Sequence, residues 1–392
     1  MRYTVKYIII LLFAIFSTVA NAKVNTYGDR AEIPEDARPN QETLEYYLDR
    51  YLNELAMNNV HVVVERDDYH TLWFRNDNGV DKNVTKEMDK KNSGLLSYLK
   101  YENGKITVDQ KNEKFDFTNE DQYISQSVGK TIISYVTGHA ICQGYIDGGI
   151  NHLVTMPMIE NTLYNNQKLI DLLNMRAGDQ KYVTKRGFKN YKRWVNHITM
   201  EETMTKVMDG SVASKPKYNY NNIVPNLVFT YVAYKTGDEF EEFLESLFVN
   251  KIGIENDVWF AKQDEATEED LSYWYHFYAT RYDYLRIANA MLSDWQNNTC
   301  EGQYLKSLYE NKQWKNEGQG KNDTAFNNPK AYAGQFHTSY SGMKDRHVMG
   351  WDGYGGQVTL IDFDNGRIVS AMAVHRNYNW KKIIHKVIKN GN

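Results

Sequence analysis

The chain has 392 residues and a formal net charge of −4, from 46 Lys and Arg against 50 Asp and Glu. This slightly acidic balance argues against the large positive surface that binds nucleic acid, so we expect no nucleic-acid partner. The length is sufficient for one large domain with a well-buried core.

The first residues follow the pattern of a secretory signal peptide. Basic residues within 1–6 precede an apolar stretch at 7–19 and a small-x-small exit at 20–22. We predict cleavage after Ala22, and therefore a periplasmic or secreted protein with no integral membrane span. A retained membrane anchor is the alternative, but a spanning helix needs about 20 apolar residues and this stretch is shorter.

The amino-terminal part is predicted to contain a polar lead-in, one helix and antiparallel strands. Residues 23–40 are polar and lack periodicity, which indicates a surface segment. Apolar residues at helical spacing predict a helix at 42–58. Stretches of β-branched and aromatic residues predict strands at 60–66 and 71–75, and a hairpin of 96–101 with 106–108.

From about residue 127 to residue 292 the pattern changes to helices joined by long loops. The predicted helices are 128–145, 166–174, 200–208, 224–236, 239–249 and 282–292. Strands return at the end of the chain as 348–351, 357–363 and 367–374, followed by a short helix at 380–389.

This order of elements predicts an α+β protein. Strands from both termini are expected to form one antiparallel sheet that is flanked by helices. We therefore predict a single domain over 41–392, with an inserted helical region at about 140–295.

Neither the two cysteines nor the ten histidines show the spacing of a metal site, so we expect no metal and no cofactor. The sequence does not show whether Cys142 and Cys300 pair. Cys142 lies in an apolar helical stretch, where a buried free thiol is the commoner outcome. Stability is then expected to come from packing and not from a disulfide framework.

The stretch 123–136 contains the main candidate for chemistry. Ser127 opens a long apolar helix, and Lys130 lies three residues later, one turn away on the same face. The amino terminus of a helix supplies N–H groups and a positive dipole where an oxyanion would form. If burial favours the neutral amine, Lys130 can accept the proton of a nucleophilic Ser127.

Ser-x-x-Lys alone is a weak motif, since it also occurs at Ser214 and Ser341. A proline disfavours a continuous helix after Ser214, and Ser341 lies in a polar loop, so only Ser127 opens an apolar helix. The structural alternative is that Ser127 is an N-cap and Lys130 a solvated helical residue. A phosphate-binding loop is excluded, because that motif needs glycine where Ile124 stands.

Tyr220 and Asn222 lie on a loop that enters the predicted helix 224–236. A phenol and an amide in this position can point into one cleft. There Tyr220 would relay a proton to a leaving group, and Asn222 would hold the substrate and Lys130. The alternative is a tyrosine packed beneath a helix.

A glycine-rich segment, Tyr354-Gly355-Gly356-Gln357, leads into the predicted strand 357–363. Glycines allow a backbone to approach a ligand closely, and the Gln357 N–H is a candidate second donor to an oxyanion. The alternative is an ordinary glycine turn before an edge strand.

In their order and spacing, the segments around Ser127, Tyr220 and Gly355 resemble the β-lactamase-related serine hydrolase family. That family includes class C β-lactamases, D-alanyl-D-alanine carboxypeptidases, esterases and 6-aminohexanoate-dimer hydrolases. Segments 172–178 and 278–286 also resemble stretches of that family. The resemblance therefore extends from about residue 44 to the end of the chain.

The resemblance implies a β-lactamase/transpeptidase-like fold and a role for each matching residue. Ser127 would be the nucleophile, Lys130 its base and Tyr220 the proton relay. Asn222 would be the substrate-positioning amide, and the N–H groups of Ser127 and Gln357 would form the oxyanion hole.

One position departs from the family pattern. The third motif there normally begins with Lys or His, whose cation helps to bind the carboxylate of penicillin-like substrates, and here it begins with Tyr354. The resemblance therefore favours a small-molecule ester, amide or peptide substrate, bound beside Tyr354, Gly355, Gly356 and Gln357, over a β-lactam. The alternative is a penicillin-binding or peptidoglycan-sensing protein of the same fold with little or no turnover, which a burst of product without turnover would reveal.

Overall fold

The computed structural model describes residues 39–53, 61–65, 79–183, 198–263, 266–267, 269–315 and 329–391. The predicted signal peptide, most of the polar lead-in and the predicted strand 71–75 lie outside the described residues. Among the described residues, no helix is long and apolar enough to cross a membrane.

The described part contains the predicted helices in the predicted order, several of them shorter, together with two helices that were not predicted. They are α1 (Gln41–Asn53), α2 (Lys82–Met88), α3 (Val128–Cys142), α4 (Leu169–Leu173), α5 (Met200–Glu202), α6 (Ile223–Thr236), α7 (Phe240–Glu245), α8 (Arg281–Asn297), α9 (Cys300–Glu310) and α10 (Lys386–Lys389). Stretches of π-helix extend α5 and α7 and precede α10, at Thr203–Val207, Ser246–Ile252 and Lys381–His385.

Strands from both ends of the chain form one antiparallel sheet, as predicted. Its strands are β2 (Leu95–Glu102), β3 (Lys105–Lys111), β9 (Gln313–Trp314), β10 (Ala331–Ala333), β11 (Phe336–Thr338), β12 (Val348–Gly353), β13 (Gln357–Asp362) and β14 (Arg367–Ala373). Their order is β3–β2–β14–β13–β12–β11–β10–β9. The two termini meet where β2 pairs with β14, with Tyr101 opposite Ile368. The α+β prediction is therefore confirmed.

A second antiparallel sheet was not predicted, and the strand predicted at 60–66 belongs to it and not to the large sheet. It has the order β1–β7–β8–β4 and consists of β1 (His61–Val64), β7 (Val258–Lys262), β8 (Tyr273–Ala279) and β4 (Tyr123–Ile124). Strands β7 and β8 lie inside the region 140–295 that was expected to be helical, so that region is not wholly helical. Strand β8 was missed because it is buried at all seven positions, so its sequence lacks the alternation of apolar and polar residues that indicates a strand.

A two-stranded ribbon also replaces part of a predicted helix. The helix predicted at 166–174 shrinks to α4, because β6 (Gln167–Lys168) pairs with β5 (Leu153–Val154) instead. Helices α2 and α9 and the short strands β9, β10 and β11 were not predicted either.

The large sheet packs on both faces. One face meets α2 and the carboxyl-terminal helix through Val84, Leu360 and Ile384. The other contributes residues such as Met349 and Trp351 to the main core, in which α3 is buried from Val128 through Ala140. Helix α3 contacts α6, α9, β8 and β12. This central position fixes the amino terminus of α3, where Ser127 lies.

A disulfide joins Cys142 at the end of α3 to Cys300 at the start of α9, with Cα atoms 5.8 Å apart. The expectation of a buried free thiol at Cys142 is therefore wrong. The two residues are 158 positions apart in the sequence, and only the packing of α9 against α3 brings them together. The chain thus combines packing with one covalent cross-link.

Candidate active site

A strand, a sharp turn and a helix place Ser127. Strand β4 pairs with β8, and Ser125 extends this pairing, because its N–H donates to Phe277 O at 2.7 Å and its Oγ accepts from Phe277 N at 2.9 Å. Gln126 then adopts φ +47°, an uncommon conformation for a residue other than glycine. Ser127 follows as the first, partly exposed residue of the turn into α3.

Lys130 lies directly behind Ser127. Its Nζ donates to Ser127 Oγ at 3.1 Å, and the residue is only 1% exposed. Nζ also lies 3.4 Å from the centre of the Tyr275 ring and 5.1 Å from that of Tyr220. These contacts contradict the alternative of a solvated lysine, and Ser127 makes no side-chain capping bond of the kind an N-cap needs.

Burial lowers the pKa of Lys130 well below its usual value, and the nearby carboxylate of Asp352 opposes this by favouring the charged form. The facing aromatic rings also attract a cation. Desolvation outweighs the effect of Asp352, so burial favours a neutral amine that can accept a proton from Ser127.

Gly129 lets α3 approach β8 closely. A Cβ at this position would lie 1.9 Å from the Tyr275 carbonyl oxygen and 2.6 Å from Ser125 Oγ. Both distances are far below a normal contact. The absence of a side chain at residue 129 therefore allows the Tyr275 ring to lie against Lys130.

Tyr220 joins Ser127 and Lys130 in the same region. It is partly buried, its ring lies edge-on to Tyr332 with centroids 6.2 Å apart, and it faces Lys130 Nζ. Asn222 is the N-cap residue of α6, but its side chain makes no capping bond, because Asn221 Oδ1 accepts from Val224 N at 3.0 Å instead.

The glycine-rich segment is the turn between β12 and β13. Gly355 and Gly356 have φ of +91° and +98°, so both need the freedom of glycine. Other parts of the protein occupy the space beside each glycine. A Cβ on Gly355 would lie 2.3 Å from Tyr51 Oη, and one on Gly356 would lie 2.9 Å from Arg376 Cα. Substrate binding by these glycines stays a prediction.

Other parts of this segment do reach the turn that precedes Ser127. The side chain of Gln357 donates to Ile124 O in β4 at 2.8 Å. Tyr354 O instead accepts from Tyr51 Oη in α1, at 2.9 Å. A Cβ on Gly353, the last residue of β12, would lie 2.9 Å from Ser125 O. The end of β12 and the start of β13 therefore pack against the strand and turn that carry Ser127.

Several residues near the site were missed by the sequence reasoning. Next to Gly353, Asp352 lies 3.7 Å from His337 Nε2, and His337 Nδ1 lies 2.7 Å from Lys315 Nζ. Burial lowers the pKa of His337 well below its usual value, and the positive charge of Lys315 adds to this. A neutral imidazole is therefore favoured, and in one tautomer of that form Nδ1 accepts from Lys315 Nζ. No local pattern indicates this group, because its members come from three strand regions.

Comparisons with known proteins were made at the level of sequence and of structure. Neither the protein-family models nor the curated proteins contain a match to this sequence. Among solved structures, a protein described as a 6-aminohexanoate-dimer hydrolase from Bacillus anthracis has a TM-score of 0.59 and 14% identity, over 90% of this chain and 96% of that chain.

Two further neighbours have similar scores. EstCE1, a hydrolase with promiscuous acyltransferase activity, has a TM-score of 0.53 and 10% identity, over 76% of this chain and 93% of that chain. A β-lactamase/D-alanine carboxypeptidase from Pseudomonas syringae has a TM-score of 0.52 and 13% identity, over 78% of this chain and 96% of that chain. The expected β-lactamase/transpeptidase-like fold is thus confirmed: the chain has the fold of the β-lactamase and penicillin-binding-protein group of serine hydrolases.

Proposed function

We propose that the protein is an exported serine hydrolase that cleaves an ester or amide bond through an acyl-enzyme on Ser127. The observation that carries this proposal is the 3.1 Å contact between Lys130 Nζ and Ser127 Oγ, made by a lysine that is 1% exposed. A buried lysine beside a partly exposed serine is the arrangement that activates a nucleophile.

The reaction begins when Ser127 Oγ attacks the acyl carbonyl carbon and its proton passes to the neutral amine of Lys130. The negative charge that develops on the carbonyl oxygen is bound by the N–H groups of Ser127 and Gln357, with the α3 dipole in support. As the tetrahedral intermediate collapses, Tyr220 delivers its proton to the leaving alcohol or amine and takes in exchange the proton that Lys130 received from Ser127, so that both groups return to their neutral forms. Asn222 holds the substrate, and water then attacks the acyl-enzyme to release the acid and restore Ser127.

The choice of an ester or amide over a β-lactam rests on charge. Tyr354 stands where a cation would bind the substrate carboxylate, and the carboxylate of Asp352 lies close enough to act on the charge of Lys130. A carboxylate-bearing substrate would be repelled by Asp352. The names of two structural neighbours, a 6-aminohexanoate-dimer hydrolase and a hydrolase with promiscuous acyltransferase activity, agree with this choice.

Export to the periplasm or the medium is supported by two independent features. The sequence begins with a signal-peptide pattern that predicts cleavage after Ala22. Cys142 and Cys300 form a disulfide, and such bonds persist mainly in oxidising compartments.

The test is mass spectrometry of the purified protein after exposure to a fluorophosphonate and, separately, to a penicillin. We expect a covalent label on Ser127 from the fluorophosphonate, which disappears in Ser127→Ala and persists in Ser341→Ala, a serine of another Ser-x-x-Lys pair. Ser127→Ala should also lower ester turnover by roughly 10³-fold or more.

Two results would contradict the proposal. Absence of any label on Ser127 would remove the nucleophile. Rapid labelling by penicillin, with no turnover of any ester or amide, would instead identify a penicillin-binding or peptidoglycan-sensing protein.

A further inference from the structure

A fully buried carboxylate lies behind the loop that carries Tyr220. Asp179 is 0% exposed and belongs to the segment after α4. Its Oδ1 accepts from Asn219 Nδ2 at 2.7 Å, and its Oδ2 accepts from Asn221 Nδ2 at 3.1 Å. Oδ2 also accepts from Tyr164 Oη at 3.1 Å. One carboxylate thus binds the residues immediately before and after Tyr220.

The two asparagines hold the loop through their other atoms as well. Asn219 N donates to Met175 O at 2.7 Å, and Asn219 O accepts from Asn221 Nδ2 at 2.8 Å. Asn221 Oδ1 accepts from Val224 N at the first turn of α6. With Asn219 and Asn221 both fixed to Asp179, the short backbone between them leaves the Tyr220 ring beside Lys130, 5.1 Å from its Nζ.

An ionised carboxylate at this buried position destabilises the fold unless other groups replace its lost hydration. Burial penalises the ionised form, and hydrogen bonds to a carboxylate are the compensation. Removal of the carboxylate would leave the amide groups of two buried asparagines without their acceptor. Asp179 therefore sets the position of the segment 219–221 more firmly than packing alone would.

We propose that Asp179 is a positioning residue, which fixes the Tyr220 phenol relative to Ser127 and Lys130. This inference rests on the proposed function, in which Tyr220 protonates the leaving group. A merely structural acid would affect the stability of the fold and the reaction of every substrate equally. A positioning residue for the proton relay affects most those substrates whose leaving group needs a proton.

The experiment compares two esters with the same acyl group, ethyl butyrate and para-nitrophenyl butyrate, in the first turnover. Ethoxide is a poor leaving group that must be protonated, whereas para-nitrophenolate leaves as the anion. Asp179→Asn replaces one of the two acceptor oxygens by an NH2 group, which faces the N–H groups of one asparagine. We expect ethanol release to slow about 10- to 100-fold in this variant, because small displacements of a catalytic group have effects of this size. Release of para-nitrophenol should change by less than about threefold on the same reasoning.

Matched variants separate positioning from loss of stability. Tyr164→Phe removes a hydrogen bond from the same carboxylate without touching the Tyr220 loop, and it should react with both esters as the wild type does. Tyr220→Phe should show the same selective loss with ethyl butyrate. Adding Asp179→Asn to Tyr220→Phe should then cause little further loss, since residues that act through one another are not additive.

The outcomes distinguish failure of the inference from failure of the proposed function. If fluorophosphonate does not label Ser127 of the wild type, or if the wild type releases neither alcohol, the proposed function fails and the inference falls with it. If Ser127 is labelled and Tyr220→Phe is selective, but Asp179→Asn slows both esters equally or neither, the inference alone is overturned. Should Asp179→Asn fail to fold, Asn219→Ala takes its place, and equal effects on both esters would overturn the inference in the same way.

Discussion

Gly129→Ala tests whether the close contact of α3 with β8 sets the geometry of the site. The added Cβ would lie 1.9 Å from the Tyr275 carbonyl oxygen, an atom of the backbone that no rotamer change can move. The shortest comfortable carbon–oxygen contact is about 3.3 Å. Helix and strand must therefore separate by more than roughly 1 Å at this point.

The expected size of the effect differs between stability and activity. Overpacking costs about 1 to 3 kcal/mol, and alanine returns up to about 1 kcal/mol of helix propensity, so the net loss of stability is modest. The displacement also separates Ser127 and Lys130 from Tyr275, and a 1 Å error in the placement of reacting groups costs about 10²-fold in rate. Activity is therefore the more sensitive measurement.

The assay is kcat/KM for para-nitrophenyl butyrate together with the free energy of unfolding in urea. Gly138→Ala in the same helix is the matched control, because its Cβ would meet the Tyr304 ring at 2.4 Å, far from Ser127. We expect Gly138→Ala to lose stability but to keep its activity, and Gly129→Ala to lose about 10²-fold in kcat/KM. A Gly129→Ala enzyme with nearly wild-type kcat/KM would refute the argument that this contact places the catalytic pair.

Three further predictions follow from the charges and the cross-link. The Asp352 carboxylate raises the pKa of Lys130 against the larger effect of burial. Asp352→Asn should therefore move the acid limb of the pH profile of kcat/KM to lower pH. If the limb does not move, it does not report the ionisation of Lys130. Reduction of the bond between Cys142 and Cys300 should lower the free energy of unfolding by about 2 to 5 kcal/mol, measured in urea with and without reductant, and equal stability in both would contradict the cross-link. Burial raises the pKa of Asp283 from 3.8 to about 6, so its ionisation should cost about 3 kcal/mol of stability in full, most of which is lost as the pH rises from 4 to 7. Asp283→Asn should remove that part of the loss, and an identical pH dependence in the variant would contradict the assignment.

Local patterns were sufficient for the elements whose signals lie within a few residues. The β2–β3 hairpin and the strands β13 and β14 have turn residues between alternating or β-branched stretches, and all were predicted. Helix α3 was predicted from its apolar length, and its start at Val128 agrees with the prediction. Such elements depend little on what packs against them.

The second sheet could not be read from the sequence for a physical reason. Strand β8 is aromatic and buried along its whole length, so it has neither the alternation of a half-exposed strand nor the polar face of a surface helix. Its amide groups are also satisfied from outside the sheet, since Tyr275 N donates to Asn226 Oδ1 at 3.0 Å. No pattern within residues 273–279 indicates that Asn226 accepts this hydrogen bond.

The site residues likewise divide into those that local patterns indicate and those that depend on contacts in the folded chain. Ser127, Lys130 and Tyr220 were selected by spacing and lie together, but the burial that lowers the pKa of Lys130 depends on β8. Asp179 was not selected, because it is 40 residues from Asn219 and no short motif connects them. Contacts that act over such separations exist only once the chain is folded.

The pairing of β2 with β14 has a consequence for the order in which the molecule is made. Ribosomes produce β2 some 265 residues before Arg367, the residue that faces Glu102 in the finished sheet. Contacts of such large sequence separation form slowly, and until β14 arrives the inner edge of β2 is an open template for other strands. Strand β12 also packs against the turn before Ser127. A growing chain that has not yet reached β12 therefore contains Ser127 and Lys130 but lacks the strand that holds this turn in place. Catalytic activity would then report that synthesis and folding have reached the last strands.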